Sequence, residues 1–256
     1  MQLPFGHTRS RVTTQYALIT PDTHVWSTLP RWTDSSVAIH ISPQIGARFT
    51  QATINMSPGG RSSMPLPGVQ RFIYVQSGAI EIESIGMRSQ DGDLIGKQKL
   101  IAGGYVFLPA DHAHAIYARE QTTLVVFEKP YEPLTGVDHP ELVIGQATEV
   151  SSSAFMGDEA AQLKLLLPNI PSMDMAVNLF TYQPGAALPQ VEIHVMEHGL
   201  IMTGGTGVYR LSDDWFPVQT GDIIWMASFC PQWFVAMGKH PASYLYYKDI
   251  NRDPLA

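Results

Sequence analysis

Hydrophobic residues in this chain come in short runs interrupted by turn residues, not in the long stretches of period 3.6 that predict helices. Typical runs are RFIYVQSGAIEIESI, GGYVFLPA, TTLVVFEKP, NLFTYQPG, GVYRL, GDIIWMA and SYLYYKDI. They are rich in β-branched and aromatic residues and are bounded by Gly, Pro or Asp, as strands are. The pattern predicts an all-β sandwich or barrel with few short helices, one of which we expect near residues 158–165.

The order of these runs repeats along the chain. SPGG (57–60), RFIYVQSG (71–78) and GGYVFLPADHAH (103–114) are followed in the second half by QPG (183–185), HGLIMTGG (198–205) and GDIIWMASFCPQ (221–232). Such self-similarity indicates an internal duplication. We therefore predict two domains, 1–135 and 136–256. The first copy is longer by about nine residues around 85–94, which we interpret as a hairpin insertion in a surface loop.

Composition narrows the kind of partner. Gly and Pro number 21 and 19, against 16 Lys+Arg and 23 Asp+Glu, which is a turn-rich composition typical of β proteins. A net charge of −7 without a concentrated basic face argues against a nucleic-acid partner and favours a small molecule. The sequence has neither a signal-peptide run nor eighteen consecutive apolar residues, so we expect no membrane partner and a cytoplasmic location. The single cysteine, Cys230, excludes an intrachain disulfide and a multi-cysteine zinc site.

The most informative stretch is VEIHVMEHGL, residues 191–200. Glu192, His194 and His198 occupy alternate positions, so a strand would place all three potential metal ligands on one face. The same stretch contains an H-x-x-E-H pentad, which zinc peptidases carry on a helix. A helix would turn Glu192 off the face of the two histidines, and the β-branched residues and flanking glycines do not favour one. We therefore expect the even-numbered residues to face a barrel interior and Glu197 to be a surface carboxylate.

These residues resemble the two signature blocks of the cupins, which are roughly G-x5-H-x-H-x3,4-E-x6-G and G-x5-P-x-G-x2-H-x3-N. Glu192 stands at the first His position, His194 at the second and His198 at the Glu position, with Gly205 seven residues further on. Gly221 begins the second block, and Gln232 takes the place of its His. The resemblance implies a bicupin, two tandem β-barrels of the double-stranded β-helix type. It also implies a metal set of Glu192, His194, His198 and Gln232 in the second barrel.

This permuted ligand set, together with FTYQPGA (180–186) and YKDINRD (247–253), is similar to that of the (S)-ureidoglycine aminohydrolases. These are bicupin enzymes of purine (allantoin) catabolism. The resemblance implies a Mn²⁺-dependent hydrolase that acts on a C–N bond, releasing ammonia from (S)-ureidoglycine and giving (S)-ureidoglycolate. It also implies assembly into a homo-oligomer. Carboxylate, imidazole and amide ligands without thiolate suit Mn²⁺ and also accept Fe²⁺ or Zn²⁺.

Substrate contacts follow from strand parity and the resemblance together. Tyr244, Tyr246 and Lys248 alternate in YLYYK, and the resemblance places Tyr244 and Lys248 against the substrate. Lys248 would pair with the substrate carboxylate. Glu192 has a second carboxylate oxygen that could move a proton, so we predict Glu192 and Lys248 as catalytic. The predicted substrate-binding residues are Glu192, Gln232, Tyr244, Lys248 and Tyr209.

The first half of the chain lacks such a set. His114 stands at the His position of the second block, but MPLPGVQR (64–71) offers neither His nor carboxylate at the first. We therefore expect a metal-free first barrel, with His112 and His114 structural and Arg71 in packing or at an interface. The remaining conspicuous residues are expected in core or interface positions, and they are Trp26, Trp32, Trp215, Trp225, Trp233 and the buried thiol Cys230.

Three other functions remain open at this point. A metallopeptidase needs a helix through the pentad and a third ligand downstream. An Fe(II) bicupin dioxygenase could use the two His and one carboxylate as its facial ligand set, and oxygen uptake would reveal it. A non-enzymatic barrel would bind metal and a small ligand without turnover.

Overall fold

The computed structural model describes residues 7–84 and 96–253 and consists almost entirely of strands. Strands account for 55% and helices for 3% of the structure, which confirms the predicted all-β class. Among the described residues the helices are two short 3-10 turns, Pro21–Thr23 and Pro43–Ile45. No helix of this part of the chain is long and apolar enough to cross a membrane. The predicted hairpin insertion at 85–94 lies outside the described residues.

Twenty strands are assigned within the described ranges, and their bounds are as follows. They are β1 (Arg11–Val12), β2 (Tyr16–Ile19), β3 (Trp32–Ile41), β4 (Thr50–Ser62), β5 (Val69–Ser77), β6 (Ala79–Ser84), β7 (Gln98–Ile101), β8 (Gly104–Leu108), β9 (His114–Ala118), β10 (Thr122–Pro130), β11 (Val143–Gln146), β12 (Ser153–Phe155), β13 (Asp158–Leu165), β14 (Met175–Tyr182), β15 (His198–Gly204), β16 (Thr206–Leu211), β17 (Asp214–Gln219), β18 (Ile223–Met226), β19 (Gln232–Met237) and β20 (Ala242–Asp249).

The chain forms two compact units. Unit 1 comprises Met1–His24, Pro43–Ala47 and Val150–Ala256, and unit 2 comprises Val25–Ser42 and Arg48–Glu149. The predicted division into domains 1–135 and 136–256 stays a prediction.

Unit 1 contains an antiparallel sheet in the order β1-β2-β18-β15-β20-β14-β13-β12 and a three-stranded sheet, β17-β16-β19. In unit 2 the sheet order is β11-β8-β5-β10-β4-β9-β6-β7, with β3 beside β4. The order β18-β15-β20-β14 in unit 1 therefore matches β8-β5-β10-β4 in unit 2. This correspondence is what an internal duplication predicts.

The register of β15 and β20 creates the inner face of unit 1. His198 lies opposite Lys248, Leu200 opposite Tyr246 and Met202 opposite Tyr244. Because paired residues point to the same face of a sheet, the alternate residues of both strands line one interior. That interior is rich in aromatic side chains, whereas the core of unit 2 is mostly aliphatic.

The helix expected at 158–165 was wrong, because these residues form strand β13. Met156 and Gly157 have φ angles of 51° and 87°, and Phe155 pairs with Asp158 across them. Two left-handed residues between paired strands are typical of a tight hairpin turn of type I′. The turn therefore folds β13 back on β12, and the other edge of β13 pairs with β14. A run of Glu and Ala had suggested a helix locally, but strand pairing on both edges overrides that preference.

This turn gives a stability prediction. Met156 is 68% exposed and holds a positive φ that favours Asn or Gly. We expect Met156→Asn to raise the free energy of unfolding by about 1 kcal/mol, since it relieves backbone strain without loss of packing. The β-branched control Met156→Val should lower it. Urea denaturation would measure the free energy of unfolding of both variants. If residues 158–165 formed a helix instead of a strand after this turn, the two free energies would not follow the turn preferences of Asn and Val.

Candidate metal and substrate site

Unit 1 encloses a cavity of about 140 Å³. This is smaller than the roughly 300–1,000 Å³ of pockets that take drug-sized ligands, so it suits a small metabolite. The lining side chains are Phe155, Phe180, Leu188, Glu192, His194, Met196, His198, Leu200, Tyr209, Met226, Gln232, Tyr244, Tyr246 and Lys248. Every predicted metal-binding, catalytic and substrate-binding residue is therefore brought together around one space.

The segment that supplies three of the predicted ligands is extended but is not a regular strand. The strand β15 begins at His198, and before it only Glu192 pairs, in a single bridge with Gln232. The bridge has two backbone hydrogen bonds of 2.8 and 3.0 Å. Even-numbered residues from Glu192 to Leu200 nevertheless line the cavity, as the alternate-residue interpretation predicted. The helix that a metallopeptidase would need is not present, so that alternative is wrong.

Both histidines direct Nε2 into the cavity because their rings are also tied to the backbone. His194 Nδ1 donates to the carbonyl of Met196 at 3.2 Å, which leaves its Nε2 with a lone pair. His198 hydrogen-bonds to the backbone of Tyr247, and its Nε2 lies 3.2 Å from that of His194. Burial, together with the nearby His194 and Lys248, lowers the pKa of His198 well below its ordinary value. Two facing ring nitrogens in a buried site can share either a proton or a metal ion.

Glu192 and Gln232 complete the donor set. Glu192 Oε2 lies 3.9 Å from His194 Nε2, and Gln232 Nε2 lies 3.1 Å from the same nitrogen. The other amide atom of Gln232, Oε1, accepts a hydrogen bond from the Tyr209 hydroxyl at 3.3 Å. Turning the amide by half a rotation would present Oε1 to the histidines, and the two orientations have the same shape.

The distances between the donor atoms are compatible with one metal ion once the Gln232 amide is turned so that Oε1 faces the histidines. Two ligands about 2.1 Å from one ion are about 3.0 Å apart when adjacent and about 4.2 Å apart when opposite. The 3.2 Å between the histidines matches adjacent positions, and the 3.9 Å to Glu192 falls between the two limits. As placed, the described residues contain no group of three or more His, Cys, Asp or Glu that could hold a metal ion. The chemistry of the residues around the cavity, two imidazoles, a carboxylate and an amide, is nevertheless a mixed N/O set of the kind that suits Mn²⁺, Fe²⁺ or Zn²⁺.

Lys248 places a cation at the same cavity. Its backbone lies opposite His198 in the sheet, and its side chain lines the space between the strands. Burial lowers the pKa of Lys248, and the carboxylates of Glu192 and Asp249 act against that shift. An ammonium in such surroundings is a strong partner for an anionic group of a ligand.

Tyrosine hydroxyls form the polar part of the remaining wall. Burial raises the pKa of Tyr209, Tyr244, Tyr246 and Tyr182, so these groups stay protonated and can donate. The hydroxyls of Tyr182 and Tyr244 lie 3.0 Å apart. Tyr244 is thus both a core residue and a cavity residue. Tyr182 is not one of the residues that line the cavity, and it supports the wall through this contact with Tyr244.

Glu197 was expected at the surface, and this was wrong. It is 2% exposed, its Oε2 accepts from Trp225 Nε1 at 3.2 Å, and its backbone N–H donates to Asp249 Oδ1 at 2.6 Å. On the odd-numbered face Val191 and Ile193 are exposed, but at Glu197 the face is covered by protein, so the carboxylate needs these partners. Trp225 and Asp249 were not predicted to support the site. They anchor the backbone directly before His198.

In unit 2 a guanidinium occupies the comparable place. Arg71 is fully buried, and its Nη1 lies 3.2 Å from His114 Nε2. It also forms an ion pair with Glu128 at 2.7 Å and lies over the ring of Trp32 at 5.2 Å. His114 Nδ1 donates to the carbonyl of His112 at 2.7 Å. These contacts agree with packing and structural roles for the three residues.

The other residues singled out from the sequence are distributed between interior and surface. Trp32 and Trp225 are buried, Trp233 is half-buried, and Trp26 and Trp215 are exposed. The buried thiol of Cys230 is as expected.

Comparisons with known proteins identify relatives of the whole chain. The chain is 42% identical over 98% of its length to the probable (S)-ureidoglycine aminohydrolase of Oryza sativa subsp. japonica, covering 78% of that protein. It is 39% identical over 98% of its length to (S)-ureidoglycine aminohydrolase from Arabidopsis thaliana, covering 80% of it. No protein-family model matches the chain.

Solved structures support the fold. The crystal structure of protein Ylba from E. coli superposes with a TM-score of 0.83 at 29% identity, covering 96% of each chain. Oxalate decarboxylase from Lactobacillus farciminis has a TM-score of 0.69 at 12% identity, covering 94% of this chain and 88% of that one, so it supports the fold alone. The fold is therefore of the predicted cupin type.

The anchoring contact of Asp249 leads to a metal-binding prediction. We expect Asp249→Ala to weaken Mn²⁺ binding about 10- to 100-fold, because the backbone before His198 loses its 2.6 Å acceptor. Asp249→Asn keeps an oxygen at that position and should bind Mn²⁺ nearly as the parent protein does. Electron paramagnetic resonance during a Mn²⁺ titration would measure free ion for each variant. Equal weakening in both variants would show that the charge of Asp249 matters rather than its hydrogen bond.

The unit 2 cluster gives a prediction on pH. Burial, the largest cause, lowers the pKa of His114 to about 4. In the unfolded chain this His takes up a proton near pH 6.5, so between pH 6.5 and 4 the unfolded state binds more protons than the folded one. Stability is therefore lost as pH falls through this window, by about 3 kcal/mol at most.

His114→Gln tests this origin, because its amide oxygen can still accept from Arg71. We expect the variant to lose less stability than the parent between pH 6.5 and 4 in urea denaturation at stepped pH. Exposed His240 provides the control, and His240→Gln should follow the parent curve. Parallel curves for the parent and His114→Gln would contradict the assignment.

Proposed function

The chain belongs to the (S)-ureidoglycine aminohydrolases, and on that premise we propose that it removes the amino group of (S)-ureidoglycine in the cavity of unit 1. The reaction consumes water and releases ammonia and (S)-ureidoglycolate, so the protein is a hydrolase acting on a C–N bond. The observation that carries the proposal is the convergence of Glu192, His194, His198 and Gln232 with Lys248 around one cavity of about 140 Å³.

We place the metal with Glu192, His194, His198 and Gln232, and we propose Mn²⁺ for it. The support is the N/O donor set without thiolate and the facing Nε2 atoms of the two histidines. When bound, the ion would act as a Lewis acid that holds the substrate and offsets its negative charge. Four protein donors leave room for a small chelating substrate in a site of six positions.

Lys248 orients the substrate in the cavity. The substrate has a carboxylate beside the carbon that bears both nitrogens, and a buried ammonium is its natural partner. Hydroxyls of Tyr209 and Tyr244, both protonated because burial raises their pKa, supply further donors to the ureido or carboxylate oxygens. The half-buried aromatic and aliphatic walls restrict the substrate to few orientations.

Proton transfer falls to Glu192. The protonated amino group leaves with the bonding electrons as neutral ammonia, which leaves a planar imine whose ureido nitrogen keeps its proton and carries the positive charge. Water then adds to that carbon and gives up one proton, which the second carboxylate oxygen of Glu192 can accept. Because Lys248 and the cavity wall fix the imine, water adds from one side and the S product results.

The alternative functions are less well supported. The curated relatives carry an aminohydrolase name, which does not favour an Fe(II) dioxygenase or a non-enzymatic barrel. We further propose the bicupin arrangement, with a metal-binding barrel at 136–256 and a metal-free barrel at 1–135. A homo-oligomer and a cytoplasmic location stay predictions.

The role of Lys248 can be tested by kinetics. We expect Lys248→Met to lower kcat/KM for (S)-ureidoglycine about 100-fold, mainly through KM, because the substrate carboxylate loses its charged partner. The exposed Lys239 supplies a control, since Lys239→Gln removes the same charge outside the cavity. Ammonia release from enzymatically generated substrate, with Mn²⁺ present, would be the assay.

Two results would contradict the proposal at different points. A parent protein with its metal in place that releases no ammonia above the uncatalysed rate would rule out the function. Racemic ureidoglycolate from an active enzyme would rule out only the facial control of water addition. A Lys248→Met variant with unchanged KM would remove Lys248 from carboxylate binding.

A further inference from the structure

Unit 2 has a pocket of about 220 Å³ that adjoins its buried Arg71 cluster. Arg71 Nη1 donates to Ser62 Oγ at 3.3 Å and to the Ser63 carbonyl at 2.9 Å behind the pocket wall. The pocket is lined by Arg31, Thr33, Arg61, Ser62, Ser63, Ala115 and Tyr117. Five of these seven residues have a hydroxyl or a guanidinium side chain, and a sixth, Tyr117, has an aromatic ring with a hydroxyl. No carboxylate is among the lining residues. Nothing in the proposed aminohydrolase reaction uses these residues.

The sheet register holds the pocket together. Thr33, Arg61 and Tyr117 lie side by side on β3, β4 and β9, so their side chains share one face. The Arg61 guanidinium carbon lies 5.8 Å from the Tyr117 ring centre, within the range of a cation–π contact. Arg31 joins the same face through its carbonyl, which accepts the N–H of Ser63 at 3.2 Å.

Charges around the pocket are not balanced. Within the described chain, neither Arg31 nor Arg61 forms an ion pair. Of the nearby carboxylates, Glu81 pairs with Arg119 at 2.7 Å and Glu83 with Lys97 at 3.8 Å, whereas Asp34, next to Thr33 in the chain, is exposed. Glu128 is engaged with Arg71 at 2.7 Å. The positive charge of Arg31 also disfavours the charged form of the buried Arg71.

Arg31 occupies an unusual backbone position for its type. Its φ is 72°, in the left-handed region where Gly is the favourable residue. A long cationic side chain at such a position is strained relative to Gly, and strain of this kind is found at ligand sites. Packing does not explain this cost, because Arg31 is exposed. The Arg31 side chain lines the pocket together with that of Arg61.

We propose that this pocket binds a small oxyanion, a carboxylate or phosphate with at least two acceptor oxygens. Two guanidinium groups can each donate two parallel N–H bonds to such oxygens. The hydroxyls of Thr33 and Ser63 add donors at the rim. The site lies within unit 2 and is independent of the reaction proposed for unit 1.

Isothermal titration calorimetry at low salt tests the proposal, with inorganic phosphate and oxalate as the two probes on the full, metal-loaded protein. We expect a binding event in the parent protein that is weakened about tenfold or more in Arg61→Gln. Arg31→Gly should weaken it similarly, and because Gly suits the backbone there, its melting temperature should equal or exceed that of the parent. Lys239→Gln, which removes a distant charge, should bind as the parent does.

The two probes distinguish the source of the anion. Preference for phosphate would indicate a phosphate ester, and preference for oxalate a dicarboxylate. Absence of binding by both probes at millimolar concentration would overturn the site. Binding retained in both Arg61→Gln and Arg31→Gly would also overturn it, since the anion would then lie elsewhere, as at the metal. Ammonia release in the two Arg variants should match the parent, so failure here leaves the proposed function untouched.

Discussion

The site in unit 1 depends on two imidazole nitrogens that face each other across a short distance. His194 and His198 both tie their rings to the backbone, and their Nε2 atoms meet at 3.2 Å in a buried space. Burial and a neighbouring Lys248 keep His198 from taking up the proton that the two nitrogens could share. A cation between the nitrogens removes the repulsion of their lone pairs, and the adjacent carboxylate and amide give it further donors. If the proposed metal binds here, it would contribute to the order of this region as well as to its chemistry.

In unit 2 the cation beside the corresponding histidine, His114, is the guanidinium of Arg71, which belongs to the chain itself. In the sequence repeat Arg71 corresponds to His198, and His114 corresponds to Gln232. The guanidinium of Arg71 donates toward His114 Nε2 and pairs with Glu128, which stands opposite Arg71 in the sheet as Lys248 stands opposite His198. A tethered guanidinium cannot exchange and has no open coordination position. The same strand order thus supports a site that can bind substrate in one unit and a packed ionic core in the other.

The sequence was most informative where local geometry and chemistry coincide. Alternation in 192–198 and 244–248 identified the cavity residues, since side-chain parity requires only an extended backbone. Gln232 was found through the spacing of a family motif, because no local pattern links it to Glu192. The strand at 158–165 was missed because its stabilising partners are two other strands, which propensity does not include. Glu197 was misplaced because parity gives the direction of a side chain, whereas its burial depends on Trp225 and Asp249.

Residues 192–198 do not form a regular strand, yet their even-numbered side chains all line the cavity. The way in which this segment is anchored explains why. Between Glu192 and His198 the backbone is fixed at separate points: the bridge to Gln232, the bond from the Phe229 N–H to the His194 carbonyl at 2.7 Å, and the bond from Glu197 to Asp249. A continuous ladder would fix all these residues by one register and give their side chains a uniform spacing. Because the anchors are separate, each donor side chain of this segment can be oriented independently, as unequal donor distances around one metal ion would require. The Glu of the pentad thus contributes from outside the cavity, by holding the backbone that directs His198 into it.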